Sequence, residues 1–314
     1  MTAFVAKRLL AAIPVLFGLS VIVFLMIALI PGDAATAILG SFATPENVAR
    51  LNADLGLDRS LPEQYGLWIS GVLRGDLGQS FTLNRPVLDE VGQRFGATLI
   101  LAGAALVLSS IIGLLAGIVS AARQFGWADR AITLAVLVGI SVPSFWLGLI
   151  LILAFAVAWP VFPPSGMVAI YGGGGPLDVA HHLVLPAVTL AVVASGVIAR
   201  LTRTAMLEVL RQDFVRTARA KGLSERHVLF GHAFRAALVS VIPVIGIQAG
   251  FVLGGAVYVE TVFQWPGIGA MLVEAIAKRD VLLVQGGVLV VAASYVLFNL
   301  AADLAQALLD PRLA

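Results

Sequence analysis

The chain is 314 residues long, 60% of them hydrophobic and only 12% charged, with a formal net charge of +2. Soluble domains are about 45–50% apolar, so a mean hydropathy of +0.99 marks an integral membrane protein and excludes an ordinary soluble enzyme. The near-balanced charge gives no ground for a nucleic-acid partner, and the lack of any cysteine excludes disulfides, thiolate metal sites and a cysteine nucleophile.

Membrane spans are located by windows of about 20 residues without charge. The first is Leu9–Ile30, preceded by Lys7-Arg8; it is longer than the apolar core of a signal peptide and has no clear small-x-small cleavage site, so it reads as a retained span. Pro31–Arg94 follows as a mixed polar and apolar segment. Its Tyr65 and Trp68 point to a small folded cap, and Thr44-Pro45 to a capped helix start. The second span lies within Phe95–Ala122, and the third runs from Ala131 to about Trp159. Pro160–His181 is rich in Pro and Gly and reads either as irregular structure over the pore mouth or as a mobile tip. His182–Ala199 begins the fourth span, Ala236–Val259 forms the fifth and Val281–Ala302 the sixth. Pro14, Pro143, Pro186 and Pro243 fall inside spans and predict kinks.

Between the fourth and fifth spans lies a charged, helix-favouring insert, Asp213-Phe214-Val215-Arg216-Thr217-Ala218-Arg219-Ala220-Lys221-Gly222-Leu223-Ser224-Glu225-Arg226. From Arg200 to Arg235 the basic residues are Arg200, Arg203, Arg211, Arg216, Arg219, Lys221, Arg226 and Arg235, against Glu208, Asp213 and Glu225. Six spans place both termini on one side, and 13 of the 20 Lys and Arg fall on that side. By the positive-inside rule it is the cytoplasmic one. The plainest reading of the insert is a topology-setting basic loop; the sharper one is a helix whose small residues, Ala218, Ala220 and Gly222, dock under another protein.

Catalytic constellations are missing from the spans. No ionisable residue falls near a span midpoint, which argues against an ion-coupled carrier with a carboxylate relay. His181-His182 are adjacent and point about 100° apart on a helix, so they make a poor chelate and a better interfacial anchor. Ser109, Ser110 and Ser141 have no basic partner at their depth, which argues against a serine nucleophile. No Gly-x-x-x-x-Gly-Lys-Ser/Thr phosphate loop is present. Gly113-x-x-x-Gly117 and Gly246-x-x-x-Gly250-x-x-x-Gly254 allow close helix crossing, either within the chain or between subunits. Gln248 is the strongly polar residue deep in the fifth span, suited either to a translocation path or to tying two helices together.

With these features in order, the chain resembles the B-type permease subunit of the dipeptide/oligopeptide/nickel ABC importers over essentially its whole length. The resemblance is carried by Arg8 and Pro14, Ile30-Pro31-Gly32-Asp33, Leu55-Gly56-Leu57-Asp58, Gln64-Tyr65 with Trp68, Gly75-Asp76-Leu77-Gly78 with Ser80, and Pro86-Val87. Beyond these come the Asp213–Leu223 insert, Val259-Glu260-Thr261-Val262-Phe263, Pro266-Gly267-Ile268-Gly269, Arg279-Asp280 and Asp310-Pro311-Arg312. Arg216 and Thr217 stand where the general importer motif has Glu and Ala, as is common in the peptide branch, and Arg235-Ala236-Ala237-Leu238 lacks that branch's Asn.

The resemblance implies an all-α polytopic membrane protein of six transmembrane helices with the type I ABC importer permease fold. Residues 1–94 would form the first helix and extracytoplasmic cap, 95–305 the permease core and 306–314 a short cytoplasmic tail. It implies a bacterial inner-membrane chain with both termini cytoplasmic, paired with a second homologous permease subunit. Two cytoplasmic ATPase subunits would bind ATP-Mg, so that no cofactor is expected in this chain, and an extracytoplasmic binding protein would deliver the substrate. Residues about 213–226 would be the coupling helix, with Arg216, Thr217, Ala218, Arg219, Ala220, Lys221, Gly222, Leu223 and Ser224 touching an ATPase; Gln248 and Ser141 are candidates for the translocation path. The family takes up dipeptides, longer peptides, glutathione, nickel chelates and some sugars, with peptide the first expectation. No catalytic or metal-binding residue is expected.

Overall fold

The computed structural model describes residues 2–28, 43–54, 56, 58–171 and 173–309. Ile30–Asp33, Leu55, Leu57, Gly172 and Asp310–Arg312, which contribute to the expectations above, lie outside the described residues. The chain divides into two compact units, one built on Thr98–Pro266 with residues from Leu297 onward, the other on Lys7–Ala97 with Gly267–Val296.

The second of these units holds most of α1 (Thr2–Ala28), then α2 (Pro45–Asp54) and α3 (Leu61–Leu73). The predicted helix start is present: the Asn47 N–H donates to Thr44 Oγ1 at 3.3 Å, with Pro45 in the first turn, where its missing N–H costs nothing. Ser60 begins α3, its N–H donating to Glu63 Oε2 at 3.1 Å. The cap is folded on the first span by aromatic packing. Tyr65 stands edge-on to Phe24 with ring centroids 5.5 Å apart, Trp68 packs on the same ring at 5.9 Å, and Tyr65 Oη lies 2.8 Å from Ser20 Oγ. A two-residue antiparallel ribbon, β1 (Gln79–Ser80) with β2 (Arg85–Pro86), leads directly into α4 (Val87–Ala122). Leu77, Val87 and Val91 pack with Ile268, Met271, Ala275 and Leu283 of α10 (Ile268–Ala277) and α11 (Val281–Leu309).

The other unit contains the rest of α4, then α5 (Trp127–Ser141), α6 (Ser144–Ala158, its last six residues π-helical), α7 (Pro176–Leu210), α8 (Asp213–Ala220) and α9 (Glu225–Phe263). α7 is its central helix, packed by α5, α6 and α9, and 61% of its apolar stretch is buried against 17% for the first span. The remaining apolar faces of the long helices stay uncovered, as a lipid-facing surface requires.

Among the described residues five helices are long and apolar enough to cross a membrane, and six if the bent pair α5–α6 counts as one. That pair departs from the expected single third span. Val142, with φ −81° and ψ 126°, is extended, and the chain turns by 103° at Val142-Pro143. Proline removes an N–H and pushes the preceding residue out of the helical region. At Pro14, Pro186 and Pro243 the helix continues through the proline. The fourth span also begins earlier than its apolar window, at Pro176, with Asp178 in its first turn and the two histidines in its second.

Candidate functional site

Only the first eight residues of the expected 213–226 helix form one helix, α8; Lys221–Ser224 turn the chain and Glu225 begins α9. α8 is seated by two residues three apart, Val215 at 0% and Ala218 at 6% exposure, which is the spacing of one helical face. They enter a cluster with Met206 and Val209 of α7, Ile118 and Ala121 of α4, and Val228, Ala233 and Ala237 of α9. Arg216, Thr217, Arg219, Ala220, Lys221, Gly222, Leu223 and Ser224 are all exposed. Ala218 therefore corrects the sequence expectation: it faces its own chain's core, and the small residues on the outer surface are Ala220 and Gly222.

Two caps define the ends of this segment. Gly222 has φ +79° and donates its N–H to Arg219 O at 2.9 Å, so the chain leaves α8 through a left-handed residue. Two residues later Ser224 starts α9, its Oγ accepting the His227 N–H at 3.4 Å. Arg219 reaches across the turn to Glu225, with Nε to Oε1 at 2.7 Å and Nη2 to Oε2 at 3.3 Å. Part of the positive charge expected to meet a partner is thus already paired within the chain, although both groups remain exposed and such a pair contributes little to stability. Beside the turn, an open hollow of about 490 Å³ is lined by Ser224, Arg226, His227, Phe230 and Gly231. Together these residues make an exposed, basic knob on a short helix packed against three spans.

The translocation-path candidates are not joined. The Ser141 hydroxyl donates to its own helix at Leu137 O, 2.8 Å, and is exposed, whereas Gln248 is buried. His181 and His182 are likewise engaged within the chain: Nε2 of His181 lies 2.8 Å from Val161 O, and Nδ1 of His182 lies 2.9 Å from Asp178 O and 3.2 Å from Asp178 Oδ1. Among the described residues no group of three His, Cys, Asp or Glu could hold a metal ion. The Gly113 and Gly117 pattern is used within the chain. A Cβ at Gly117 would lie 2.5 Å from Thr202 Cβ, so α4 and α7 cross at backbone contact. By contrast Gly254 has nothing within 4 Å of its would-be Cβ.

Three buried carboxylate clusters escaped sequence reasoning. Asp129 binds Arg203 and Ser120, Asp280 binds Ser80 and Thr82, and Glu260 accepts from Thr98 Oγ1 at 2.6 Å. Apart from Ser120, nine positions from Asp129, their partners are 74 to 200 positions away, so no local spacing reveals the clusters. One signal was present: Asp129 is the sole acidic residue between Glu90 and Asp178.

The described residues form an apolar polytopic chain with an exposed basic helix between two spans, which defines an integral membrane protein. Comparison with known proteins makes this specific. Residues 113–314 match the family described as the binding-protein-dependent transport system inner membrane component, and residues 1–102 match that system's N-terminal membrane component. The chain is 41% identical over 331 residues to the dipeptide transport system permease protein of Alkalihalophilus pseudofirmus, covering 100% of this chain and 99% of the relative. It is 41% identical over 332 residues to the di/tripeptide transport system permease protein of Pseudomonas aeruginosa, with coverage of 100% and 99%. Against the dipeptide transport system permease protein of Escherichia coli the identity is 39% over 335 residues, with the same coverage. A chain of the methionine ABC transporter in inward-facing conformations superposes with a TM-score of 0.55 at 17% identity, over 70% of this chain and 96% of that one, a likeness of fold.

The chain therefore belongs to the binding-protein-dependent transport system inner membrane components. It is a multi-pass inner-membrane permease subunit with the type I ABC importer fold, and not itself an enzyme.

Proposed function

We propose that this permease subunit carries peptides of the dipeptide and tripeptide class into the cell by alternating access, driven by separate ATPase subunits. The observation that carries the reading is full-length identity of 39–41% to permeases named for dipeptide and di/tripeptide transport. In this reading the chain pairs with a second, homologous permease. Two ATPases bind ATP-Mg on the cytoplasmic side, and an extracytoplasmic binding protein delivers the peptide. The outer face of α8 and its turn, Arg216, Thr217, Arg219, Ala220, Lys221, Gly222, Leu223 and Ser224, engages an ATPase. Val215 and Ala218 act from the inner face, transmitting its displacement to the spans they pack against. No covalent step takes place in this chain; the work is a shift between two packings of the bundle, favoured in turn by ATP binding and by hydrolysis. Both termini are cytoplasmic, residues 43–94 belong to the extracytoplasmic cap, and Gln248 and Ser141 are candidates for the path.

The test is reconstitution of the chain with its partner permease, ATPases and binding protein in proteoliposomes. ATP-dependent uptake of a labelled dipeptide, competed by other dipeptides but not by glutathione or a nickel chelate, is the expected result. Uptake of either competitor in place of peptide would reassign the substrate. Co-purification of the chain without ATPase subunits would overturn the reading as a whole.

A further inference from the structure

The Asp129 cluster is built more completely than a stray surface pair. Asp129 is 4% exposed and Ser120 1%. The carboxylate receives four hydrogen bonds, two on each oxygen. Oδ1 accepts from Ser120 Oγ and from Arg203 Nε at 2.8 Å; Oδ2 accepts from Arg203 Nη2 at 2.8 Å and from the Phe125 N–H at 2.9 Å. Arg203 Nε also approaches Ser120 Oγ at 3.1 Å. A fork of this kind fixes direction as well as distance. The loop conforms to it: Phe125 holds φ +65°, unusual for a non-glycine residue, with its N–H aimed at the carboxylate.

The three side chains come from three membrane helices. Ser120 lies in the last turn of α4, Asp129 in the first turn of α5 and Arg203 near the end of α7. Just beside them α4 and α7 are already in backbone contact at Gly117 and Thr202. Two residues separate the end of α7 from the start of α8, whose inner face is seated on Met206 and Val209. The pin therefore sits at the root of the helix that receives the ATPase.

We infer that Asp129 is a positioning residue for transport: through Arg203 and Ser120 it locks the ends of α4, α5 and α7 into one body. A displacement of α8 then moves three membrane helices rather than only α7, which leads into it. The inference rests on the proposed coupling role of α8. It adds that the α5 root travels with the α7 root in every state of the cycle.

The experiment uses the assembled transporter in lipid nanodiscs, with spin labels on Trp127→Cys and Arg211→Cys in this cysteine-free chain and the partners' cysteines replaced. Both positions are exposed and report the roots of α5 and α7. In the otherwise wild-type chain the label separation should stay within about 2 Å, the scale of a small helix shift, between nucleotide-free and ATP-trapped states. In Asp129→Asn it should shift or broaden beyond that. Uptake per ATP hydrolysed, measured in the unlabelled protein, should fall about tenfold, in the range of one coupling interaction, with ATPase association unchanged. Arg203→Lys, which keeps the charge but not the fork, should fall between wild type and Asp129→Asn. A larger state-dependent change in the wild-type separation overturns the inference even if Asp129→Asn fails to assemble, as does a wild-type uptake-to-hydrolysis ratio in Asp129→Asn. If no peptide is taken up by the wild-type complex, the transport reading falls, while the distances still judge the pin.

Discussion

Ser80 Oγ donates to Asp280 Oδ2 at 2.5 Å across 200 positions of sequence, and Thr82 Oγ1 donates to the same oxygen at 2.6 Å. Asp280 is fully buried, and its Oδ1 accepts the Leu283 N–H at 3.2 Å, capping α11. One carboxylate thus holds the tip of the β1–β2 ribbon against the start of a membrane helix. Asp280→Ala leaves the buried Ser80 hydroxyl without its acceptor, frees the exposed Thr82 hydroxyl and removes a helix cap. It should cost about 2 kcal/mol or more, seen as a lower thermal midpoint of the purified chain and faster proteolysis near Arg85. An unchanged midpoint would show that the ribbon is held by its apolar contacts alone.

The two ends of the glycine series should behave oppositely. At Gly117 the added methyl of Ala meets Thr202 Cβ and the Ala199 carbonyl, 2.7 Å away, so Gly117→Ala should destabilise the chain by about 1–3 kcal/mol. At Gly254 the space is open, and Gly254→Ala should leave the isolated chain as stable as wild type or slightly more so. Thermal unfolding of both variants in one detergent makes the comparison. Equal effects would mean that α4 and α7 do not cross where the structure puts them.

Gly222 is constrained by its backbone and not by its surroundings. No atom lies within 4 Å of a would-be Cβ, yet φ is +79°. Gly222→Val should strain the turn by about 1–2 kcal/mol. It should displace α8 from its docking position while the spans insert normally, giving a permease that assembles but supports little substrate-stimulated ATP hydrolysis. Gly222→Asn, a residue that accepts left-handed φ, should retain most activity. Normal uptake by Gly222→Val would return the insert to a simple topology signal.

Membrane orientation has a direct chemical test in this cysteine-free chain. Gln79 and Ser224 are both exposed, so a cysteine at either is reachable from its own side. An impermeant thiol reagent added to intact cells should label Gln79→Cys and spare Ser224→Cys; the reverse pattern would invert the topology.

Much of this architecture follows from composition and order along the chain. Apolar length specifies the spans, because lipid leaves no alternative partner for backbone polar groups, and charge marks the exposed helix between two of them. Gly222, at φ +79°, follows a run of helix formers, so its left-handed turn has a purely local origin. Thr44-Pro45 was legible as a start for equally local reasons.

What only the tertiary structure decided are the relationships with no local period. Val142-Pro143 divides the third apolar window by 103°, whereas Pro186 sits inside an unbroken helix. The same residue type therefore bends one span and leaves another continuous. Ala218 belongs to the docking surface by its size but to the core by its rotation about the helix axis, which Val215 and the ends of α4, α7 and α9 settle. Asp129 with Arg203, and Asp280 with Ser80, are ordinary charged and polar residues until the fold brings them together. Burial then turns each carboxylate into a pin, because a charge withdrawn from water must find its hydrogen bonds within the protein.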